Sequence, residues 1–235
     1  KIVTKSVLPK VQQGAAKILT KVPLLNSVVY TKVRKSMMGA FGGRLTELVV
    51  GGAAINPDVE KFLRKIKFPY SVGYGMTECG PLISYSYWTE FKEHSCGRIV
   101  DRMQVRIDSD DPHNIVGEIQ VKGTNVMLGY YKNEEATQHT FTRDGWLKTG
   151  DLGLLDKDDF VFIKGRDKNM ILGPSGQNIY PEEIEEKING TPYVNESLAI
   201  EENRKIVALI VPDFDVLQKQ GIAGNQITPF FEDLI

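Results

Sequence analysis

WLKTGDLGLLDKDDFVFIKGRDKNMILGPSGQNIYPEEIE, residues 146–185, contains two short apolar runs and a helix start, separated by glycine-marked turns. Asp156, Lys157, Asp158 and Asp159 are turn chemistry between the run 152–155 and the alternating Phe160-Val161-Phe162-Ile163. The two runs are expected to pair as a hairpin, with Thr149-Gly150-Asp151 closing a strand. Gly165-Arg166-Asp167-Lys168 follows, and Gly173-Pro174-Ser175-Gly176 makes a tight loop in which glycine can take positive φ. Pro181 suits the first position of a helix, with Glu182 and Glu183 in its electropositive first turn and Ile184 and Ile188 one turn apart on a buried face. The stretch is read as a junction between two domains, residues 1–165 and 166–235.

Outward from this junction, the 235-residue chain is ordinary for a globular protein, 41% hydrophobic and 25% charged. Its formal net charge of −1 argues against a dedicated nucleic-acid binder. The charge is uneven, since residues 1–46 hold nine of the 29 Lys and Arg and no Asp or Glu. That stretch fits either peripheral contact with an anionic membrane surface or a polyanionic ligand, or else solvated helix faces docked on acidic parts of a larger protein; the last is the plainer reading. No run approaches the roughly 18 apolar residues of a membrane span, and residues 1–20 lack the apolar centre of a secretory signal. Cys79 and Cys96 are too few for a disulfide framework, and His94, His113 and His139 stand in no metal-ligand spacing. A reducing cytoplasm and no structural metal are expected.

Residues 11–40 carry a helical pattern expected to break at Pro23 and Asn26. Residues 45–50 end in β-branched Val49-Val50 and are expected to form a buried strand, stopped by Gly51-Gly52-Ala53-Ala54. Asn56-Pro57-Asp58 starts a helix with Val59, Phe62, Leu63 and Ile66 at helical spacing. A second extended segment, 68–72, runs into Gly73-Tyr74-Gly75-Met76-Thr77-Glu78. Strand, glycine turn, helix, strand, glycine turn is a βαβ unit, and ligands of such sheets sit outside the carboxyl ends of the strands, where both turns lie.

Residues 97–147 alternate short extended runs with turns, which predicts a small, strongly curved antiparallel sheet or barrel. Residues 133–142 read as a short solvated helix and turn. Beyond Glu185, extended runs at 193–200 and 204–211 and a helical piece at 214–220 form a compact α+β module. The fold class is thus α/β with an antiparallel barrel-like sheet, followed by a small α+β domain.

Taken in order, GGA, GYGMTE, GEIQVKGTNVMLGYYKNEEAT, TGD, GRDK, a glycine loop and IYPEEIE resemble the adenylate-forming acyl-CoA synthetase superfamily. VYTKVRKSMMGAFGGRLTELVVGGAAINPDVEKFL is most similar to its long-chain fatty-acid branch. The resemblance implies a ligase that converts a carboxylic acid, ATP and CoA to acyl-CoA, AMP and pyrophosphate, with Mg²⁺ on the phosphates. Other adenylating ligases, of aromatic or amino acids, and a non-catalytic nucleotide-binding module are the alternatives.

The same resemblance implies the roles. Tyr74 stacks on adenine, with Gly51, Gly52 and Ala53 as the opposite wall. Gly75 and Thr77 approach the phosphates, and Glu78 gives Mg²⁺ a hard oxygen ligand. Asp151 accepts from the ribose diol and Arg166 donates to the ribose and phosphate side. Lys168 is the hinge about which the small domain rotates, and Gly176, beside Ser175, lines the pantetheine channel. Taken singly, each has a plainer reading: Tyr74 a sheet-end aromatic, Asp151 a turn cap, Arg166 a surface ion pair. The superfamily's phosphate loop and its C-terminal lysine have no match here, and Leu172 stands where relatives often carry Lys, so the chain is expected to be a fragment inactive alone.

Overall fold

A computed structural model describes residues 23–52, 55–173 and 176–234. The chain divides into two compact units, Lys1–Lys168 and Asn169–Ile235. The division falls after Lys168 rather than after residue 165, because Gly165 and Arg166 are still paired in a strand of the first unit.

The first unit contains α1 (Pro23–Ala40), which runs through Asn26 without the expected break. Residues 11–22 of the predicted helical stretch lie outside the described residues. Val33, Met37 and Met38 pack with buried Tyr30 against Phe62, Leu63, Ile66, Phe68 and Tyr70, while Lys32 and Lys35 face solvent. Among the described residues no helix is long and apolar enough to cross a membrane.

β1 (Leu48–Val50), α2 (Pro57–Lys65) and β2 (Tyr70–Val72) form the βαβ unit, with the two strands parallel. Asn56 caps α2 by accepting from the Asp58 and Val59 amides at 3.0 and 3.2 Å, and Phe62 and Leu63 are buried. Burying each such side chain is worth roughly 1.5–3 kcal/mol. The expectation of a buried first strand is corrected: β1 covers three residues, and Val49 is 50% exposed because alternate side chains of a strand point to opposite faces.

β3 (Tyr74–Gly75), β4 (Leu82–Tyr85) and β5 (Arg98–Ile99) make a three-stranded antiparallel sheet. β6 (Met103–Asp108), β7 (Gly117–Gly123), β8 (Leu147–Leu155) and β9 (Val161–Arg166) make a four-stranded one, and α3 (Glu134–Thr140) lies between β7 and β8 in sequence. The Cys96 amide donates to the Val161 carbonyl and the Val161 amide to Gly97, so β9 also pairs with the segment leading into β5. Ile83, Ile119, Val121, Leu147 and Val161 are fully buried at the centre of this curved arrangement.

β8 and β9 are the predicted hairpin, turning at Asp156–Asp159 with Asp159 at φ 62°. Thr149-Gly150-Asp151 does not close a strand; it lies in the middle of β8. Gly150, at φ 70°, absorbs an irregularity in the β7–β8 pairing, and the ladder resumes beyond it.

The second unit holds β10 (Ile171–Leu172) and β11 (Asn178–Ile179), then α4 (Pro181–Asn189). The hairpin of β12 (Val194–Glu202) and β13 (Lys205–Pro212) follows, with α5 (Phe214–Lys219) after it. Pro181 is at the start of α4, as its fixed φ predicts, and Ile188, Val194, Leu217 and Phe231 form the core. A last helix, α6 (Ile227–Leu234), follows beyond the predicted elements and brings Phe230 and Phe231 onto that core.

Candidate functional site

The end of β1 and the start of β3 are neighbours in the first unit. The Gly73 amide donates to the Val50 carbonyl at 2.9 Å, and a Cβ on Gly51 would stand 3.6 Å from the Gly73 carbonyl oxygen. Gly51-Gly52 and Gly73-Tyr74-Gly75 therefore meet at the carboxyl ends of the parallel strands. Gly52 holds φ 81°, and Ala53 lies outside the described residues. A Cβ on Gly75 would fall 2.0 Å from the Pro81 carbonyl oxygen, so only glycine lets β3 pass that close to the residues entering β4.

Tyr74 is 7% exposed, with its ring in the core beside Cys79 and Ile83, and its hydroxyl donates to Asp151 Oδ2 at 2.6 Å. Burial, and next the Asp151 charge, push this phenol well above the ordinary tyrosine range, so it remains a donor. Asp151 is itself 7% exposed, and its Oδ1 accepts from Arg166 Nε at 2.9 Å. Asp151 and Arg166 are direct partners in the β8–β9 ladder, which explains how TGD and GRD meet although a turn separates them in sequence. The Thr149 hydroxyl donates to the Ile119 carbonyl at 2.7 Å and accepts from the Asp151 amide at 3.0 Å, while the Gly150 amide donates to Glu118 at 3.2 Å. Each oxygen of Asp151 keeps a second lone pair, so the oriented carboxylate can accept two further hydrogen bonds.

Thr77 and Glu78 lie in a single 3₁₀ turn, Thr77–Cys79, between β3 and β4. Thr77 is exposed and Glu78 half-buried, whereas Cys79 is fully buried and burial pushes its thiol up to about 11, so it stays a neutral core group. The Glu78 carbonyl accepts from the Met127 amide at 2.7 Å, and its Oε1 accepts from the Tyr130 hydroxyl at 2.9 Å. Among the described residues no three His, Cys, Asp or Glu side chains gather to hold a metal. Glu78 alone offers a hard oxygen; that suits a Mg²⁺ carried largely by phosphates and water and does not suit a protein cage.

Lys168 is exposed in the turn Asp167–Asn169, at the last position of the first unit. Gly176, in the second unit, takes φ 82° and its amide donates to the Gly173 carbonyl at 2.8 Å. Of the two glycines of this loop, Gly176 takes the positive φ, and the Gly173 amide donates to the Gln177 carbonyl at 2.8 Å to close the β10–β11 turn. Pro174 and Ser175 lie outside the described residues.

Tyr74, Asp151 and Arg166 are joined by direct contacts. Glu78 is held by a different set of partners, Met127 and Tyr130, and the Thr77 carbonyl accepts from the Gly80 amide at 3.2 Å. Thr149, Glu118 and Tyr130 have no site role assignable from the sequence. The only cue was their position inside TGD and GEIQVKGTNVMLGYYKNEEAT, and no local pattern names a partner so far along the chain.

Residues 7–131 match the family described as AMP-binding enzyme. The chain is 31% identical over 188 residues to the long-chain-fatty-acid–CoA ligase FadD15 of Mycobacterium bovis, covering 80% of this chain and 30% of that protein. It is 32% identical over 241 residues to 4-coumarate-CoA ligase 2 of Narcissus pseudonarcissus, covering 97% of this chain and 42% of the relative. The structure of o-succinylbenzoate coenzyme A synthetase (MenE) from Bacillus subtilis in complex with ATP and magnesium ion superposes with TM-score 0.64 at 29% identity, covering 82% of this chain and 45% of that one. The chain therefore spans less than half the length of each of these proteins.

Proposed function

Because this chain belongs to the AMP-binding enzyme family, we propose that the protein is an acid–CoA ligase working through an acyl-adenylate, with a long-chain fatty acid as its substrate. In the first half-reaction an oxygen of the acid attacks the α-phosphorus of ATP, and the bond to pyrophosphate breaks. In the second, the CoA sulfur attacks the acyl carbonyl, the bond to AMP breaks, and the thiol proton passes to solvent.

The observation that carries this reading is Asp151, a buried carboxylate aimed by Tyr74 and Arg166 with acceptor capacity to spare. A ribose diol needs adjacent acceptors held still, and a preorganised carboxylate supplies them without reorganising. Gly51, Gly52, Ala53 and the Tyr74 ring flank the adenine in this reading, and Gly75 and Thr77 face the phosphates. Glu78 would hold the Mg²⁺, which when bound offsets phosphate charge as the pyrophosphate leaves.

Lys168 is proposed as the hinge between the half-reactions, and Gly176 as a bare-backbone wall beside the pantetheine arm. Support for the hinge is the end of the first unit at Lys168. Proline locks φ near −65° and removes a donor, so Lys168→Pro should trap one orientation while Lys168→Ala stays near wild type. If the adenylating orientation is trapped, pyrophosphate exchange survives and acyl-CoA formation from supplied acyl-AMP collapses. Equal loss of both steps in both variants would assign Lys168 a charge role.

A second reading, an aromatic acid as substrate, rests on the similarity to the 4-coumarate ligase along 97% of this chain. Acid-dependent pyrophosphate exchange by the full-length protein, compared between hexadecanoate and 4-coumarate, decides between them. Exchange with hexadecanoate alone supports the fatty-acid reading, exchange with 4-coumarate alone replaces it, and exchange with neither removes both acids and moves the substrate to another carboxylic acid.

A further inference from the structure

The turn Thr77–Cys79 is short and outside any long element, yet it is tied down from one side by residues 125–130. Asn125 Nδ2 donates to the Cys79 carbonyl at 2.5 Å and to the Leu82 carbonyl at 3.0 Å, so one amide bridges the turn and the strand that follows it. The Met127 amide donates to the Glu78 carbonyl at 2.7 Å, fixing the backbone of the carboxylate-bearing residue itself. The Tyr130 hydroxyl then reaches the Glu78 side chain, donating to Oε1 at 2.9 Å. Tyr130 is anchored in turn: its amide donates to Thr137 Oγ1 at 2.9 Å, and Thr137 is in α3, whose cap Asn133 accepts from the Ala136 amide at 3.0 Å. Gly129 permits this approach, because a Cβ there would lie 2.6 Å from Thr137 Cγ2.

We infer that Tyr130 is a positioning residue: it holds Glu78 Oε1 from a braced loop and thereby presents Oε2 to the cation on the nucleotide phosphates. The inference rests on reading Glu78 as the magnesium-facing carboxylate. A half-buried glutamate with three free side-chain torsions otherwise samples several rotamers, and a cation that keeps near-octahedral geometry binds only those that point correctly. Occupying one oxygen with a neutral donor removes most of that freedom without cancelling the negative charge.

The test is calorimetric titration of the full-length protein with ATP at saturating Mg²⁺ and with AMP without metal, for wild type, Tyr130→Phe, Glu78→Gln and the double variant. Phenylalanine keeps the ring of a residue that is 38% exposed, and metal-free AMP binding reports that the site is folded. Tyr130→Phe is expected to weaken ATP binding with Mg²⁺ three- to tenfold, to leave AMP binding within twofold of wild type, and to add nothing in the Glu78→Gln background. An equal loss for AMP and Mg²⁺-ATP, or an undiminished loss in the double variant, would show a merely structural role. A Glu78→Gln effect with no Tyr130→Phe effect overturns the inference alone. If Glu78→Gln leaves Mg²⁺-ATP binding unchanged, the reading of Glu78 fails and the inference goes with it.

Discussion

Asp151 and Glu78 are both carboxylates proposed to meet the nucleotide, and the protein holds them by opposite means. Asp151 is inside a β-ladder, 7% exposed, with one oxygen bonded by Arg166, which strand pairing places there, and the other by the buried Tyr74 of a neighbouring sheet. Glu78 is on a single 3₁₀ turn, half-buried, with one oxygen held by a tyrosine from a distant loop. Backbone register sets the first; a side-chain contact sets the second. A ladder cannot shift one residue without moving every side chain to the other face, whereas a loop contact can be lost alone. The ribose end of the site should therefore behave as rigid scaffold, and the metal end as an adjustable part.

The largest expected effect comes from removing the rigid member. Asp151→Ala deletes two hydrogen bonds from the ribose to a charged acceptor, each worth roughly 1.5–3 kcal/mol, so metal-free AMP affinity should fall more than tenfold in calorimetry. An unchanged affinity would make Asp151 a partner of Arg166 and Tyr74 only, and would erase the contrast with Glu78. A smaller change sharpens it. Tyr74→Phe keeps the ring but removes the 2.6 Å bond to Asp151, so AMP affinity should drop about threefold as the carboxylate gains freedom; a typical hydrogen bond contributes about 1 kcal/mol net. If Tyr74→Phe equals wild type, the hydroxyl does not orient Asp151 and Arg166 alone holds the carboxylate.

Much of this architecture was legible because the signals are local. Asn56-Pro57 capping a helix, Pro181 opening another, and the Asp156–Asp159 turn each act within a few residues, and all are found where the pattern puts them. Apolar spacing along 59–66 likewise identified a face that is buried in the βαβ unit. Where the reading slipped, a neighbour outside the local window decided. Val49 is exposed because it points to the face of β1 away from the core cluster, the TGD segment continues as strand because β7 pairs beside it, and the final helix is secured by Phe230 and Phe231 against a core built from earlier residues.

By itself, the sequence determined the order of elements, the βαβ unit, the hairpin and the family motifs, including the identity of Tyr74, Thr77, Glu78, Asp151 and Arg166 as candidates. Only the tertiary structure decided which of them touch. Arg166 faces Asp151 through ladder register, Tyr74 reaches the same carboxylate from another sheet, and Tyr130 finds Glu78 across a loop. The physical reason is range: capping, turn and periodicity preferences act over one or two turns of chain. A hydrogen bond between residues far apart in sequence depends on register and packing that form only when the whole unit folds.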